Sequence, residues 1–454
     1  RLRSAIARWV AMLGSCWSFL RPRRRTAGED RVHQLQASIA KAAAACNDEA
    51  LLEKVYAVLL GDHGSVLQPP RAQLYVDRRG TMADVVQTMH RLQGLSGQFG
   101  IDIGGTLVKC ALMTPESVES EIPDMNGKRD ANLAFPLSIN KTGYTMHFIS
   151  SETARLDQVL QATQRFAAVS HHNGDQIKVV AAGGGAHRFA EAMRDGLNVK
   201  MLPFHEMESL VGGLAFLCEY GPADEVVGYD LDGVPTPTSW PSSMFPCILV
   251  SMGSGVSILR VDSPDSTAFT RLGGTACGGA TFLGLARVLT SATSFQEAME
   301  LARQGDAGRV NKLVRDIYGQ EGSAHLGLPG NLTAAYFGKM VSMSRDDVTE
   351  ADLAAALLNM VVQGSVVLAQ ALARQVERKI PETHTGSVLG SSPPIFFVGG
   401  FLARNDMAHR LIATTFHRLN YPPPFFLRHA DYLGALGAVR KSMLSTEGMI
   451  PKRK

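Results

Sequence analysis

The sequence has 454 residues and a mass of 48.9 kDa, with 45% hydrophobic and 19% charged residues. This length favours two domains or one large two-lobed fold, and it excludes a short peptide or a single binding module. The formal net charge is only +3, from 45 Lys and Arg against 42 Asp and Glu, which excludes a nucleic-acid-binding polycation.

Hydropathy and cysteine spacing bear on the compartment. No window offers the ~18 or more uninterrupted apolar residues of a membrane-spanning helix, so we expect no membrane span. The cysteines show no Cys-x-x-Cys spacing, so neither a zinc site nor a disulfide framework is indicated. They are Cys16, Cys46, Cys110, Cys218, Cys247 and Cys277. A reducing, cytoplasmic setting is expected.

The N-terminal part divides into two predicted segments. Residues 1–32 carry eight Arg against only Glu29 and Asp30, which predicts a basic tail, a transit peptide for a mitochondrion or other organelle, or a membrane-surface anchor. Residues 33–97 are predicted to be a helical extension, because apolar residues recur at helical spacing through residues 33–65. A second basic tail is expected at residues 447–454.

The first strongly patterned strand begins near Gln98. Phe99 to Lys109 alternates apolar residues around the turn Gly104-Gly105-Thr106, with Asp102 just before it. Glycines let backbone N–H groups approach a phosphate, Thr106 adds a hydroxyl, and Asp102 is suited to order a magnesium ion or its water. The alternative is a tight hairpin without a ligand. Lys109 lies either near the phosphates or in solvent.

A second hairpin of the same design follows. Cys247–Met252 leads into Gly253-Ser254-Gly255 and then a strand from Val256. Two such turns about 150 residues apart predict a duplicated fold with two lobes over one nucleotide, residues 98–245 and 246–446. No Gly-x-x-x-x-Gly-Lys-Ser/Thr segment occurs, so a P-loop is excluded.

Three further strands run into glycines that would admit a phosphate or ribose at a helix start. They are Ile177–Ala182 before Gly183-Gly184-Gly185, Ile395–Val398 before Gly399-Gly400, and the segment Gly273-Gly274-Thr275 with Gly278-Gly279 before a helix near Thr281. Helix starts resembling capping boxes occur at Ser294-x-x-Glu297 and Thr349-x-x-Asp352, the second opening a long core helix. Residues 221–246 and 381–394 are predicted to be surface loops.

In this order the motifs resemble the eukaryotic-type (type II) pantothenate kinases of the acetate and sugar kinase/Hsp70/actin superfamily. The resemblance extends from about Phe99 to about Gly437. It includes Phe-Gly-Ile-Asp-Ile-Gly-Gly-Thr-Leu-Val-Lys, Gly-Ser-Gly-Val-Ser-Ile-Leu, Leu-Val-Arg-Asp-Ile-Tyr-Gly and Phe-Val-Gly-Gly-Phe-Leu. The resemblance implies an α/β fold with two actin-like, ribonuclease H-like lobes, duplicated mixed sheets and an interlobe nucleotide cleft.

The resemblance also implies an activity, the ATP-dependent phosphorylation of pantothenate, with inhibition by acyl-CoA in the same cleft and dimerisation with an identical or related chain. It aligns Glu206 with the family's general base and Arg271 with its phosphate-binding or substrate-binding arginine. It matches Ser254 and Ser257 to serines that contact pantothenate or acyl-CoA, and we add Gly183 and Gly184 to that site. The expected ATP-binding residues are Gly104, Gly105, Thr106, Lys109, Gly253, Gly399 and Gly400.

The chain departs from the family pattern at five positions, where Ala182, Ala276, Cys277, Ala280 and Asn331 stand in place of the family's residues. All of these except Cys277 motivate one alternative, a weakly active or regulatory subunit of a hetero-oligomeric pantothenate kinase. A second alternative is a sugar or N-acetylhexosamine kinase of the same superfamily, although that group's zinc cluster is absent from the sequence.

Overall fold

The computed structural model describes residues 98–105, 107–116, 130–153, 176–377, 392–403 and 405–445. All of them belong to one compact unit within residues 78–454. The predicted helix of residues 33–65, the basic segments 1–32 and 447–454, and most of the predicted loop 381–394 lie outside these ranges.

Within the described residues, the strands form two large sheets and two small ones. The order of the first sheet is β3-β4-β2-β1-β5-β6, with bounds β1 Gln98–Ile103, β2 Leu107–Pro115, β3 Phe135–Ile139, β4 Thr142–Glu152, β5 Ile177–Ala182 and β6 Val199–Pro203. Strands β1, β2 and β4 are antiparallel neighbours, and β5 and β6 continue parallel to β1. The predicted first hairpin and the strand at residues 177–182 are thereby confirmed.

The remaining strands are β7 Val226–Tyr229, β8 Pro235–Pro237, β9 Cys247–Met252, β10 Val256–Val261, β11 Phe269–Thr275, β12 Lys312–Leu313, β13 Gly322–Ser323, β14 Leu328–Pro329, β15 Thr333–Ala335, β16 Ile395–Val398 and β17 Phe425–Leu427. The second large sheet has the order β11-β10-β9-β16-β17-β7-β8. Strands β9, β10 and β11 are antiparallel neighbours, and β16 and β17 continue parallel to β9. The second sheet therefore repeats the order and directions of β1, β2, β4, β5 and β6, which confirms the predicted α/β fold with duplicated mixed sheets.

The helices are α1 Gly185–Arg188, α2 Ala190–Leu197, α3 Glu206–Tyr220, α4 Gly279–Leu289, α5 Phe295–Gln304, α6 Arg315–Tyr318, α7 Glu350–Glu377, α8 Asp406–Arg418 and α9 Leu433–Ser445. The capping box before α5 is confirmed: the Glu297 amide donates to Ser294 Oγ at 3.2 Å, and the Ser294 amide donates to Glu297 Oε2 at 3.2 Å. Thr349 and Asp352 cap α7 in the same reciprocal way.

Helix α7 is the predicted long core helix. It is also the one helix in the described part of the chain that is long and apolar enough to cross a membrane, and 72% of its most apolar window is buried inside the protein. Its apolar face packs with β9, β10 and β16 in one buried cluster that includes Leu357, Val361 and Phe397. This burial is what a core helix over a sheet requires.

Helices α3 and α9 lie together in the core. One buried cluster contains side chains from the first sheet, α3, α9 and the second sheet, among them Phe148, Leu214, Leu436 and Leu249. The two helices approach at glycines, since a Cβ at Gly213 would overlap the Leu433 carbonyl. Small residues thus bring the backbones of α3 and α9 into contact.

The segment 221–246 differs from the predicted surface loop. It contains β7 and β8, and β7 pairs with β17 at the end of the second sheet. Val226 is buried there and supplies the apolar contact that the proline-rich composition concealed. Pro235 and Pro237 are tolerated because β8 is an edge strand, where a missing N–H breaks no ladder.

The boundary between the lobes remains a prediction, but the elements do not follow the chain strictly. Strands β7 and β8 precede residue 246 and yet belong to the second sheet. Helix α9 follows the second sheet in the chain and packs on β1 and β5 of the first. The last helix therefore returns to the first lobe.

Candidate active site

The first glycine turn is held by backbone and side-chain hydrogen bonds. The Gly104 amide donates to the Leu107 carbonyl at 2.9 Å, which closes the hairpin between β1 and β2. Thr153, at the end of β4, donates its hydroxyl to the Gly104 carbonyl at 2.9 Å. Gly105 has open space where a Cβ would be. Thr106 lies outside the described residues.

Asp102 and Lys109 are direct partners across this hairpin. Phe99, Ile101 and Ile103 of β1 point into the cluster on one face of the first sheet, so the alternation of the strand turns Asp102 to the other face. Asp102 and Lys109 consequently share the face that packs on α9. The sequence placed both residues at the site, and the structure brings them together.

The Asp102 carboxylate lies between two glycines. A Cβ at Gly183 would be 2.6 Å from Asp102 Oδ1, and a Cβ at Gly434 would be 2.5 Å from Asp102 Oδ2. Gly183 also has φ +81°, a conformation that side chains disfavour. Only glycine at these two positions leaves room for a carboxylate at this point.

Burial raises the pKa of Asp102 to about 6 from its ordinary 3.8. The ammonium of Lys109 opposes this rise, while the carboxylates of Glu206 and Asp431 add to it. Asp102 is thus ionised at neutral pH but at an electrostatic cost. A cation arriving at this carboxylate would relieve that cost.

Glu206 is the first residue of α3 and is exposed. We expected a partly desolvated carboxylate, and in this structure water still reaches it. Its carbonyl accepts the Ser209 hydroxyl at 2.6 Å, and its charge acts on Asp102. Glu208 lies in the same first turn, half-buried, as expected for a residue that projects differently.

The second glycine turn rests on the start of α4. The Gly279 amide donates to the Gly253 carbonyl at 2.9 Å, and the Ala280 amide donates to the Ser254 carbonyl at 3.1 Å. A Cβ at Gly278 would be 2.6 Å from Gly255 Cα, so the turn and the helix touch through backbone. Ser254 is exposed at the tip, where a ligand could reach it.

The Gly399-Gly400 turn brings the second sheet to the first hairpin. Gly399 has φ +105°, and a Cβ there would be 2.5 Å from the Met252 carbonyl oxygen. A Cβ at Gly400 would be 3.5 Å from Lys109 Nζ. Lys109 and the second glycine of this turn, both predicted to bind ATP, are therefore neighbours.

Arg271 and Ser257 form a further group on β10 and β11. Ser257 pairs with Gly274, and Arg271 Nη2 would be 2.7 Å from a Cβ at Gly274. Arg271 is exposed, and among the described residues its guanidinium has no ion-pair or hydrogen-bond partner. An unpaired guanidinium beside a hydroxyl suits an anionic ligand.

Three of the departures from the family pattern, Ala182, Ala276 and Ala280, lie near these turns. Ala182 is buried at the end of β5 as the strand neighbour of Asp102. Ala276 and Ala280 are exposed on either side of the start of α4. Asn331 is exposed, and its carbonyl lies 3.5 Å from Arg418 Nη1. None of the four removes a charged group from the cluster around Asp102.

Three residues at the site are not predicted from the sequence. Asp431 pairs with Lys109, Gly434 faces Asp102, and Thr153 holds the first turn. Gly434 belongs to a Gly-Ala-Leu-Gly repeat, and such spacing of small residues signals close helix contact. No pattern in the sequence identifies Asp431 or Thr153, because their partners are 322 and 49 residues away.

The sequence is similar to those of known proteins. A model of the Fumble family matches residues 98–441. "Pantothenate kinase 1" of Arabidopsis thaliana is 34% identical, over 74% of this chain and 84% of that protein. "Pantothenate kinase" of Schizosaccharomyces pombe is 31% identical, over 77% of this chain and 83% of that protein.

A solved structure also aligns with it. The activator of the 2-hydroxyisocaproyl-CoA dehydratase from Clostridium difficile, with bound ADPNP, is 14% identical with a TM-score of 0.38, over 78% of this chain and all of that one. The sequence matches span both large sheets and every residue of the cluster around Asp102. This chain belongs to the Fumble family, the family of the pantothenate kinases.

Proposed function

We propose that this chain is a pantothenate kinase, which transfers the γ-phosphoryl group of ATP to the terminal hydroxyl of pantothenate. The product would be 4'-phosphopantothenate, in the first step of coenzyme A biosynthesis. The observation that carries the proposal is the cluster of Asp102, Lys109 and Glu206 beside the glycine turns in a member of this family.

The glycine turns would hold the phosphates of ATP. Gly104, Gly105 and Gly253 present backbone at the hairpin tips, and Lys109 beside Gly400 supplies a positive charge. Thr106, outside the described residues, is proposed to add a hydroxyl. Because the formal net charge of the chain is only +3, these local groups must provide the phosphate affinity.

Asp102 fits a magnesium ion held mainly by water and phosphate. No group of three or more His, Cys, Asp or Glu side chains suited to a metal is found in the part of the chain that the structure describes. Magnesium commonly takes only one or two carboxylates, with waters and substrate phosphates as its other ligands. Such an ion would neutralise charge on the phosphates. Asp102, whose carboxylate fits against Gly183 and Gly434, would orient it or its water.

Glu206 would accept the proton of the attacking hydroxyl. The pantothenate oxygen forms a bond to the γ-phosphorus, the bond from that phosphorus to the β–γ bridging oxygen breaks, and ADP leaves with the electron pair. The hydroxyl proton goes to the Glu206 carboxylate. Bound substrate would cover this exposed carboxylate and exclude water from it. Arg271 would bind charge on the phosphoryl group or fix the substrate, with Ser254, Ser257, Gly183 and Gly184 completing the substrate or acyl-CoA site.

Regulation and assembly form the finer part of the proposal. Acyl-CoA is proposed to inhibit by occupying the same cleft. A dimer, with a second copy or a related chain, is proposed through the long helix α7 and the segment around α6. Exposed apolar side chains support this surface, namely Val367, Ile317, Tyr318 and Leu326. Light scattering of the purified chain would measure the mass of the assembly.

The decisive experiment follows ADP release by the purified chain with magnesium, ATP and pantothenate. We expect turnover on pantothenate and none on glucose or N-acetylglucosamine. Glu206→Gln should lower kcat by about 10²–10⁴-fold, since a general base is lost. Glu208→Gln is the matched control in the same helical turn, and it should stay within about threefold of wild type. Full activity in Glu206→Gln would refute the assignment of the base.

The second candidate is a weakly active or regulatory subunit. It is favoured by the departures at Ala182, Ala276, Ala280 and Asn331, none of which removes a charged group from the cluster around Asp102. If the chain alone is silent and turnover appears only when an active related kinase is added, this second candidate replaces the first. Turnover on a sugar alone would instead support a sugar kinase.

A further inference from the structure

An ion pair at the candidate site joins distant parts of the chain. Lys109 Nζ lies 3.3 Å from Asp431 Oδ1, and the two side chains are 12% and 26% exposed. Lys109 belongs to β2 of the first sheet, whereas Asp431 lies in the short turn between β17 of the second sheet and α9. The pair therefore joins the first sheet to the segment that follows the last strand of the second sheet.

The position of this pair matters more than its strength. A Cβ at Gly400 would be 3.5 Å from Lys109 Nζ and 3.9 Å from Asp431 Oδ1, so both charges lie against the Gly399-Gly400 turn. On the other side, Lys109 faces Asp102 across the hairpin. The ammonium is thus placed between the proposed metal carboxylate and a proposed ATP-binding turn.

A lysine side chain has four rotatable bonds and loses much rotamer freedom when its ammonium must meet a phosphate. An ion pair formed before the nucleotide binds removes part of that loss. The ammonium carries three N–H donors, so one can bind Asp431 while the others are available for phosphate oxygens. Asp431 can hold Lys109 without using up its capacity.

We propose that Asp431 is a positioning residue that holds the Lys109 ammonium beside the Gly399-Gly400 turn, ready for the phosphates of ATP. The inference rests on the proposed function of Lys109 and of this turn in ATP binding. Asp431 itself does not touch the reacting atoms. It acts through Lys109, and this dependence is what distinguishes it from a residue that merely supports the fold.

A double-mutant cycle tests the dependence. Asp431→Asn should raise the KM for ATP about tenfold and leave the KM for pantothenate unchanged, because only the cation at the phosphates is misplaced. Lys109→Met should have a larger effect. In the Lys109→Met background, adding Asp431→Asn should change nothing further. Asp431→Glu keeps the charge and should recover most of the ATP affinity.

The matched control is Asp406→Asn. Asp406 Oδ1 accepts from Arg303 Nη2 at 3.0 Å in an exposed ion pair between α8 and α5, and neither residue belongs to the proposed site. Its loss should leave both KM values at wild type. Circular dichroism checks that each variant is folded. If Asp431→Asn does not fold, the same cycle is run with Asp431→Ser, which also removes the carboxylate.

Two results would overturn the proposal. An equal loss from Asp431→Asn with and without Lys109 would overturn it, since the effect would not pass through the lysine. Tighter ATP binding in Asp431→Asn would also overturn it, because Asp431 would then compete with phosphate for Lys109. If wild type shows no turnover on pantothenate, the proposed function fails separately, and the cycle is measured as the Kd for ATP instead. The same pattern of Kd values is then expected.

Discussion

The two lobes present the same backbone frame around their glycine turns. In the first, Gly183 has φ +81° and approaches the Ile103 carbonyl; in the second, Gly399 has φ +105° and approaches the Met252 carbonyl. In both lobes, a strand parallel to the first strand of the hairpin is followed by a glycine with positive φ. This glycine contacts the carbonyl of the last residue in that first strand. The duplication therefore extends from strand order to single backbone contacts.

The side chains on that frame differ. Asp102 pairs with Lys109 in the first hairpin, whereas Ser251, at the equivalent position before the second turn, pairs with Ser257. One hairpin has a charged pair and the other has two hydroxyls. The two hairpins therefore keep the same backbone shape, while the charged pair, and with it the proposed metal chemistry, is confined to the first.

We expect a large loss of activity when the charged residue of the first hairpin is replaced, and little loss in the second hairpin. Asp102→Asn removes the carboxylate proposed to orient magnesium and should lower kcat/KM for ATP by about 10²–10³-fold. Ser251→Ala, the equivalent change in the second hairpin, should stay within about threefold of wild type. Steady-state kinetics at saturating magnesium measure both. Equal losses in the two variants would contradict the division of chemistry between the lobes.

Replacing the positive-φ glycine behind either hairpin should lower the stability of the protein. Gly183→Ala and Gly399→Ala each place a Cβ against a backbone carbonyl at positive φ, and each should cost about 2 kcal/mol or more of unfolding free energy. Gly184→Ala is the matched control, since its φ is −63° and a Cβ there meets open space. Urea unfolding measures all three. A stable Gly399→Ala would show that the two frames are not equivalent.

The pH dependence of stability should reveal Asp102. Burial raises the pKa of Asp102 to about 6, so the folded protein holds a proton that the unfolded chain releases above about pH 4. Stability from this group is present below about pH 4 and is lost as the pH rises to about 6. Asp102→Asn should therefore stabilise the metal-free protein at pH 7.5 by about 1–3 kcal/mol.

The gain in Asp102→Asn should be small at about pH 4 and vanish near about pH 3, where the carboxyl is mostly protonated in both states. Ser251→Ala, which removes no charge, should show no such pH-dependent difference. Unfolding in urea at several pH values, with a chelator present, measures the effect. A gain that persists unchanged at low pH would contradict the ionisation argument.

In the second lobe, loss of one helix cap should lower stability slightly without changing activity. Ser294→Ala removes the cap of α5 and should cost about 1 kcal/mol of unfolding free energy. Helix α5 contributes no residue to the proposed site, so kcat and both KM values should not change. Thermal unfolding and the ADP assay measure the two quantities on one preparation. A kinetic change would mean that α5 contributes to the site.

Local patterns were sufficient to predict the two hairpins, the strands at residues 177–182 and 395–398, and the capped helices. Each rests on alternation, glycine placement or capping within a few residues, which the sequence displays directly. The pair β7–β8 was missed because its prolines are those of a loop, and only the sheet edge makes them acceptable. Its buried contact at Val226 comes from tertiary structure.

The site was predictable where it follows strand ends and unpredictable where it depends on α9. Asp102 and Lys109 are adjacent in a hairpin, so their approach follows from local structure. Asp431 and Gly434 reach the same point only because the chain crosses back from the second sheet to the first. Exposure of Glu206 could not be read from its neighbours either, since it depends on what covers the start of α3.

Because α9 packs on the first sheet, mutations that truncate the chain before α9 should be severe. This helix is the last described element, yet it packs on β1 and supplies Gly434 beside Asp102. A nonsense or frameshift allele that spares everything up to residue 432 would still delete part of the central core and one wall of the site. Late truncations in the gene should therefore behave as null alleles, not as mild ones.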